Sequence, residues 1–74
     1  MSRSPDHATV LVSSVLAAMT YSLDATLDLV FRSGAIYRYF AVPSVVVQGL
    51  IAAESKGAYF NRHVRNRFRS QRLA

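Results

Sequence analysis

The chain has 74 residues, 51% of them hydrophobic, with nine basic and four acidic side chains, a formal charge of +5 and a pI near 10.5. That length supports one small domain, and the hydrophobic content lies well outside the disordered class. No cysteine is present, which excludes disulfides and thiolate metal ligands.

Residues 1–8 are polar, contain a proline and show no period, so they read as a disordered lead-in to a domain spanning residues 9–69. From Thr9 to Tyr21 the chain is rich in Val, Leu, Thr and small residues. This suggests a strand with a break near Ser13 and Ser14. The apolar stretch from Ala8 to Met19 is shorter than the roughly 20 residues a membrane-spanning helix needs. A cleaved leader headed by Arg3 is disfavoured, because Asp6 lies in its head and cleavage would delete a core strand; a cytoplasmic protein with no membrane contact is expected. Ser22 to Ala25 reads as a turn, with Asp24 suited to hydrogen-bond its own backbone. Thr26 to Arg32 alternates Leu27, Leu29 and Phe31 against Asp28 and Arg32, the period of a half-buried strand.

The next strand, Ala35 to Ala41, follows a turn at Ser33 and Gly34. A two-residue type I′ hairpin would need positive φ at Ser33, so a three-residue loop with Gly34 in the left-handed region fits better. That register pairs Phe31 with Ala35, Leu29 with Tyr37 and Leu27 with Tyr39. It puts both tyrosines on the apolar face, and Ile36, Arg38 and Phe40 opposite with Asp28, Val30 and Arg32; a one-residue slip would reverse it. The opposite face would then offer Phe40, two apolar residues and two arginines to a base or to another subunit. Tyr37 and Tyr39 suit a core role, with stacking on a base as the functional alternative.

Pro43 favours the first position of a helix, and Ser44 to Ala53 sets Val46, Val47, Leu50 and Ile51 on one side. Ser55 is a good N-cap for a second helix over about Lys56 to Arg67, and residues 70–74 are expected to fray as a basic tail. Strands first and helices afterwards predict an α+β fold: a three-stranded antiparallel meander with two helices packed on one face.

Charge is uneven along this order. From Lys56 to the end there are six basic residues and no acidic one, while residues 1–55 hold three basic and four acidic. If the segment is helical, Arg62, Arg65, Arg69 and Arg72 stack in one stripe, with Phe60, Val64 and Phe68 on another face. Guanidinium groups in such a ridge match phosphate oxygens, which points to a polyanion. Ser55, Lys56 and Gly57 put a lysine and a glycine at a helix N-terminus, which suits an anion or simply an ordinary cap. Asn61 has hydrogen-bonding capacity for a base or for backbone. The two histidines and four acidic residues are scattered without metal-ligand spacing, and no serine has a base and an orienting acid at recognisable positions. No cofactor and no catalysis are expected.

The set Ser13-Ser14-Val15, Tyr21, Leu27, Phe31, Ser33-Gly34, Tyr37-Arg38-Tyr39, Val42-Pro43, Ala53, Ser55-Lys56-Gly57, Tyr59-Phe60-Asn61 and Val64-Arg65 resembles, in order and spacing, the KTSC domain. That family is named for the C-terminus of some lysyl-tRNA synthetases and also occurs as small stand-alone proteins of bacteria and phages. The resemblance runs over about residues 12–73. It departs from the family at Thr20-Tyr21-Ser22, where Gly-Tyr-Asp is common, and at Val47, where an aromatic is common. It implies a small α+β domain with a role in RNA binding.

Together these readings lead to a non-catalytic nucleic-acid-binding domain, with RNA favoured over DNA through the resemblance alone. Arg62, Arg65, Arg69 and Arg72 are the expected phosphate contacts, supported by Lys56 and Arg67, and Arg38 and Phe40 are base-facing candidates. The alternative is an assembly or accessory module, phage-borne or inhibitory, that binds an acidic protein or a second copy of itself.

Overall fold

Strand β3 (Leu27–Phe31) forms from the alternating segment and is the centre of a five-stranded antiparallel sheet. The computed structural model describes residues 9–74, and the lead-in expected over residues 1–8 lies outside them. The other elements are β1 (Thr9–Val10), β2 (Leu16–Tyr21), β4 (Ile36–Tyr39), α1 (Ser44–Ala52), α2 (Lys56–His63) and β5 (Ser70–Arg72), with the strands in simple order from β1 to β5.

The sheet has two strands more than the expected three, one gained at each edge. At one edge the break near Ser13 and Ser14 is a full reversal, so that Thr9 pairs with Met19 and Val10 with Ala18. Ser13 drives it: its Oγ accepts from the backbone N–H of Val15 (3.1 Å) and of Leu16 (3.2 Å), groups the strand ladder would otherwise claim. A register shift between Leu16 and Ala18 lets residues three apart, Leu16 and Met19, both reach the core.

At the centre the structure matches the predicted register. Leu27 pairs with Tyr39 and Leu29 with Tyr37, while Phe31 N donates to Ala35 O at 2.8 Å. Gly34 has φ +98°, the left-handed conformation that the three-residue loop requires. Asp24 Oδ1 accepts from Thr26 N at 3.2 Å, closing the preceding turn as expected.

One face of the sheet buries Leu16, Leu27 and Leu29 completely, against Val47 and Leu50 of α1 and Phe60 of α2. Pro43 stands at the N-cap of α1, one position before the first helical residue. Ile51, expected on the buried side, is 46% exposed at the margin where α1 meets Met19 and Tyr21.

Helix α2 begins at the predicted cap: Ala58 N donates to Ser55 Oγ at 3.2 Å. It does not run on to Arg67. It stops at His63, Val64 is fully buried, and Asn66 adopts φ 61°. Asparagine tolerates that region better than most residues, so the chain can reverse there. It then lies along β4, pairing Tyr39 with Ser70 and Tyr37 with Arg72. Residues 70–72 are therefore the fifth strand and not part of a frayed tail. Leu73 N donates to Ile36 O at 2.7 Å, extending the contact. The physical reason is non-local. The edge of β4 would otherwise leave a row of backbone groups unpaired, and pairing with β5 satisfies them in a way no helical extension does.

Candidate nucleic-acid interface

Because α2 ends early, the arginines do not form a helical ridge. Arg62 projects from α2, Arg65 and Arg67 lie in the turn after it, Arg69 precedes β5, and Arg72 closes β5. All five are exposed and none meets an Asp or Glu among the described residues, and Arg72 Nε donates to Ala74 O at 2.9 Å. Strand geometry sends the last two to opposite sides. Arg72 lies 5.7 Å over the ring of Tyr37 on the helix side, and Arg69 lies 5.8 Å over Phe40 on the open side.

Arg38 sits on the open side as the register predicted, but its fork is occupied. Its Nε and Nη2 donate to Asp28 Oδ1 and Oδ2 at 2.8 and 2.9 Å, a bidentate pair across the β3–β4 ladder. The Asp28 hydrogen bond, and then its charge, raise the Arg38 pKa above its ordinary value. Arg32, expected beside Arg38, lies in the loop and donates from Nε to Ser13 O at 2.6 Å. Among the described residues the open side thus holds Arg38, Phe40 and Arg69, with only the Arg69 guanidinium unpaired.

The helix side carries a built cleft. A cavity of about 390 Å³ lies between α2 and strands β3, β4 and β5. Its floor is aromatic: Phe31 meets Tyr37 edge-on at 5.9 Å and Phe60 at 5.2 Å, and Tyr37 stacks on Tyr39 at 6.3 Å. Tyr39 and Phe60 are buried, whereas Phe31 and Tyr37 are half-buried and face the cavity. Asn61, Arg65, Asn66 and Ser70 form its polar wall. Burial pushes the Tyr39 phenol up; Tyr37 adds to that, and the Arg65 guanidinium partly offsets it.

A second cavity of about 420 Å³ adjoins the first, sharing Val15, Gly57 and Asn61, and is lined by Ser13, Ser14 and Lys56 at the start of α2. The close approach there depends on Gly57: a Cβ on it would meet Val15 Cγ2 at 3.0 Å. Lys56 Nζ donates to Ala53 O at 2.8 Å, which satisfies a carbonyl between the helices.

The eight candidate residues therefore separate. Arg65 and Lys56 line the two cavities, Arg72 stands beside the first over Tyr37, Arg62 and Arg67 face outward, and Arg38, Phe40 and Arg69 lie on the other side of the sheet. Sequence reasoning missed Phe31, Asn66 and Ser70 as cavity residues. Asn66 and Ser70 reach it only through the reversal after α2, which no local pattern marks. A signal was present in the resemblance, since Val15, Gly57, Asn61 and Arg65, scattered along the chain, meet here. Among the described residues no three His, Asp or Glu gather as metal ligands, and no helix is long and apolar enough to cross a membrane.

A model of the KTSC domain family matches residues 12–68. An uncharacterized protein of Stutzerimonas stutzeri is 47% identical over 53 residues, covering 70% of this chain and 75% of that protein. The lysine–tRNA ligase of Nostoc sp. strain PCC 7120 is 45% identical over 49 residues, covering 66% of this chain but 9% of the ligase. The chain thus corresponds to about a tenth of the length of the lysine–tRNA ligases it matches. The crystal structure of a KTSC domain protein from Yersinia pestis superposes with a TM-score of 0.87 at 25% identity, covering 92% of this chain and 97% of that one.

Proposed function

The chain belongs to the KTSC domain family, and on that premise we propose that it is a small non-catalytic domain that binds nucleic acid, RNA in preference to DNA, through the cations at the end of α2 and after it. The observation that carries this reading is the set Arg62, Arg65, Arg67, Arg69 and Arg72, exposed and with no Asp or Glu partner among the described residues. Five exposed guanidinium groups on and after α2 create a positive field that attracts phosphate. Two of them also lie over aromatic rings, an arrangement that serves a base next to a phosphate. The presence of lysine–tRNA ligases among its relatives accords with an RNA partner.

The test is fluorescence anisotropy with labelled single-stranded RNA, a structured tRNA and duplex DNA at several salt concentrations. Binding falls with salt at a slope of about −0.7 per phosphate contact on a single strand. Changing Arg65, Arg69 and Arg72 together to glutamine flattens the slope by about 2, at an unchanged circular dichroism spectrum. Absence of binding to all three at low salt refutes the reading.

A second reading, an assembly module, is favoured by one observation. The open side of the sheet leaves Val30, Ile36 and Phe40 only half-covered, and at the β1 edge Val10 and Val12 are 80% and 88% exposed. A stable oligomer in light scattering without nucleic-acid affinity selects it.

A further inference from the structure

We propose that the cavity between α2 and strands β3–β5 is a subsite for one unstacked nucleobase of a single strand, with Arg65 on the adjoining phosphate. This deepens the nucleic-acid reading and rests on it. Four properties of the cavity carry the assignment.

The first is size. Ligand sites run to roughly 300–1,000 Å³, and about 390 Å³ falls at the small end, enough for one nucleotide and too little for a stacked run. The second is the floor. Phe31 and Tyr37 line the cavity and are half-buried, although their neighbours Tyr39 and Phe60 are buried. Tyr37 already stacks on Tyr39 and lies under Arg72, so a base takes its outer face only by displacing that guanidinium. Half-covered aromatic rings at the base of a cleft are the surface on which an unpaired base stacks.

The third property is the wall. Asn61 and Asn66 each offer a carboxamide with both donor and acceptor, and Ser70 offers a hydroxyl. A base edge presents the same mixture, whereas a purely apolar ligand would leave these groups unpaired on binding. The fourth is charge. Among the described residues Arg65 is the only charged residue lining the cavity, and no carboxylate does. A planar, hydrogen-bonding, negatively charged ligand satisfies all four.

Single-stranded nucleic acid follows from the cavity's shape as a cleft between a helix and a sheet. A base inside a duplex reaches such a cleft only after leaving its stack, which costs energy that an already unstacked base does not pay. The two sides of the sheet then have different roles: the helix side reads a base, while Arg69 on the open side contributes general attraction.

The experiment uses the full chain in two formats. In NMR titrations, 5′-mononucleotides shift the amides of Tyr37, Asn61, Arg65 and Ser70, whereas ribose 5-phosphate and inorganic phosphate do not move Tyr37 and Asn61. In anisotropy with single-stranded RNA, Tyr37→Leu keeps apolar volume but removes the ring, and weakens binding roughly 5- to 150-fold. Asn61→Ala changes an exposed side chain that the fold does not need, and weakens binding roughly 2- to 12-fold. Asn61→Ala keeps the test decisive if Tyr37→Leu fails to fold.

Wild-type affinity in Asn61→Ala, with mononucleotides shifting only arginine amides, overturns the base subsite and leaves the wider nucleic-acid reading standing. Duplex binding as tight as single-strand binding also overturns the subsite. No affinity for any nucleic acid at low salt overturns both.

Discussion

Gly49→Ala reverses the usual sign of a glycine substitution in a helix. In an open helical position alanine is more stable than glycine by about 1 kcal/mol. Gly49 lies inside α1, where a Cβ would overlap the Tyr59 hydroxyl and stand 2.6 Å from Tyr59 Cζ. The ring has to swing away. That breaks the hydrogen bond from the Tyr59 hydroxyl to Val46 O at 2.9 Å, worth about 1 kcal/mol, and uncovers part of a half-buried aromatic worth about a further 1–2 kcal/mol. The losses exceed the propensity gain, so net destabilisation of about 1–2 kcal/mol is expected, a fall of roughly 5–15 °C in Tm for a domain of this size. The assay is thermal and urea unfolding of Gly49→Ala, Tyr59→Ala and the double variant. Once Tyr59→Ala has removed the ring, Gly49→Ala should stabilise by about 1 kcal/mol, as it does in an open helix. A higher Tm for Gly49→Ala in the wild-type background would refute the close α1–α2 contact. It would also undermine the seating of α2, which carries Gly57, Phe60 and Asn61 to the cleft.

Three further outcomes are expected. Ser55→Ala removes the acceptor for Ala58 N at the start of α2 and should cost about 1 kcal/mol in urea unfolding. Ala41, exposed at φ 56°, is held where an L side chain costs about 1–2 kcal/mol; after the glycine entropy penalty, Ala41→Gly should stabilise by up to about 1 kcal/mol in the same assay. The Tyr39 proton is held more tightly in the fold than in the unfolded chain, whose phenols ionise near pH 10. Its contribution to stability is therefore complete below pH 10 and is lost as pH rises through the folded pKa. Absorbance at 295 nm should show a late tyrosine ionisation that Tyr39→Phe removes, and Tyr39→Phe should soften the fall in stability above pH 10.

The β3–β4 hairpin was legible because its information is local. Leu27, Leu29 and Phe31 set the face, and Gly34, the one residue of the loop free to take positive φ, set the loop length and hence the register. The burial of Phe60 and Val64 and the half-burial of Phe68 were legible as an apolar pattern, but the helix assumed to present them was not borne out beyond His63. An i, i+4, i+8 pattern says which residues are buried and leaves open what happens between them. Four of the eight candidates, Arg62, Arg65, Arg69 and Arg72, were chosen as one helical face, and the reversal at Asn66 sends Arg69 and Arg72 to opposite sides of the sheet.

By itself the sequence determined the α+β class, the central register, the α2 cap and the excess of positive charge near the C-terminus, because each rests on neighbouring residues or on composition. The tertiary structure alone decided that residues 70–72 become a fifth strand, since the partner that satisfies them is β4, more than thirty positions earlier. It decided that Asp28 occupies Arg38 from across the ladder. It also decided the cleft, because Phe31, Tyr37, Asn61, Arg65 and Ser70 meet only after the sheet, the short helix and the reversal behind it have packed together.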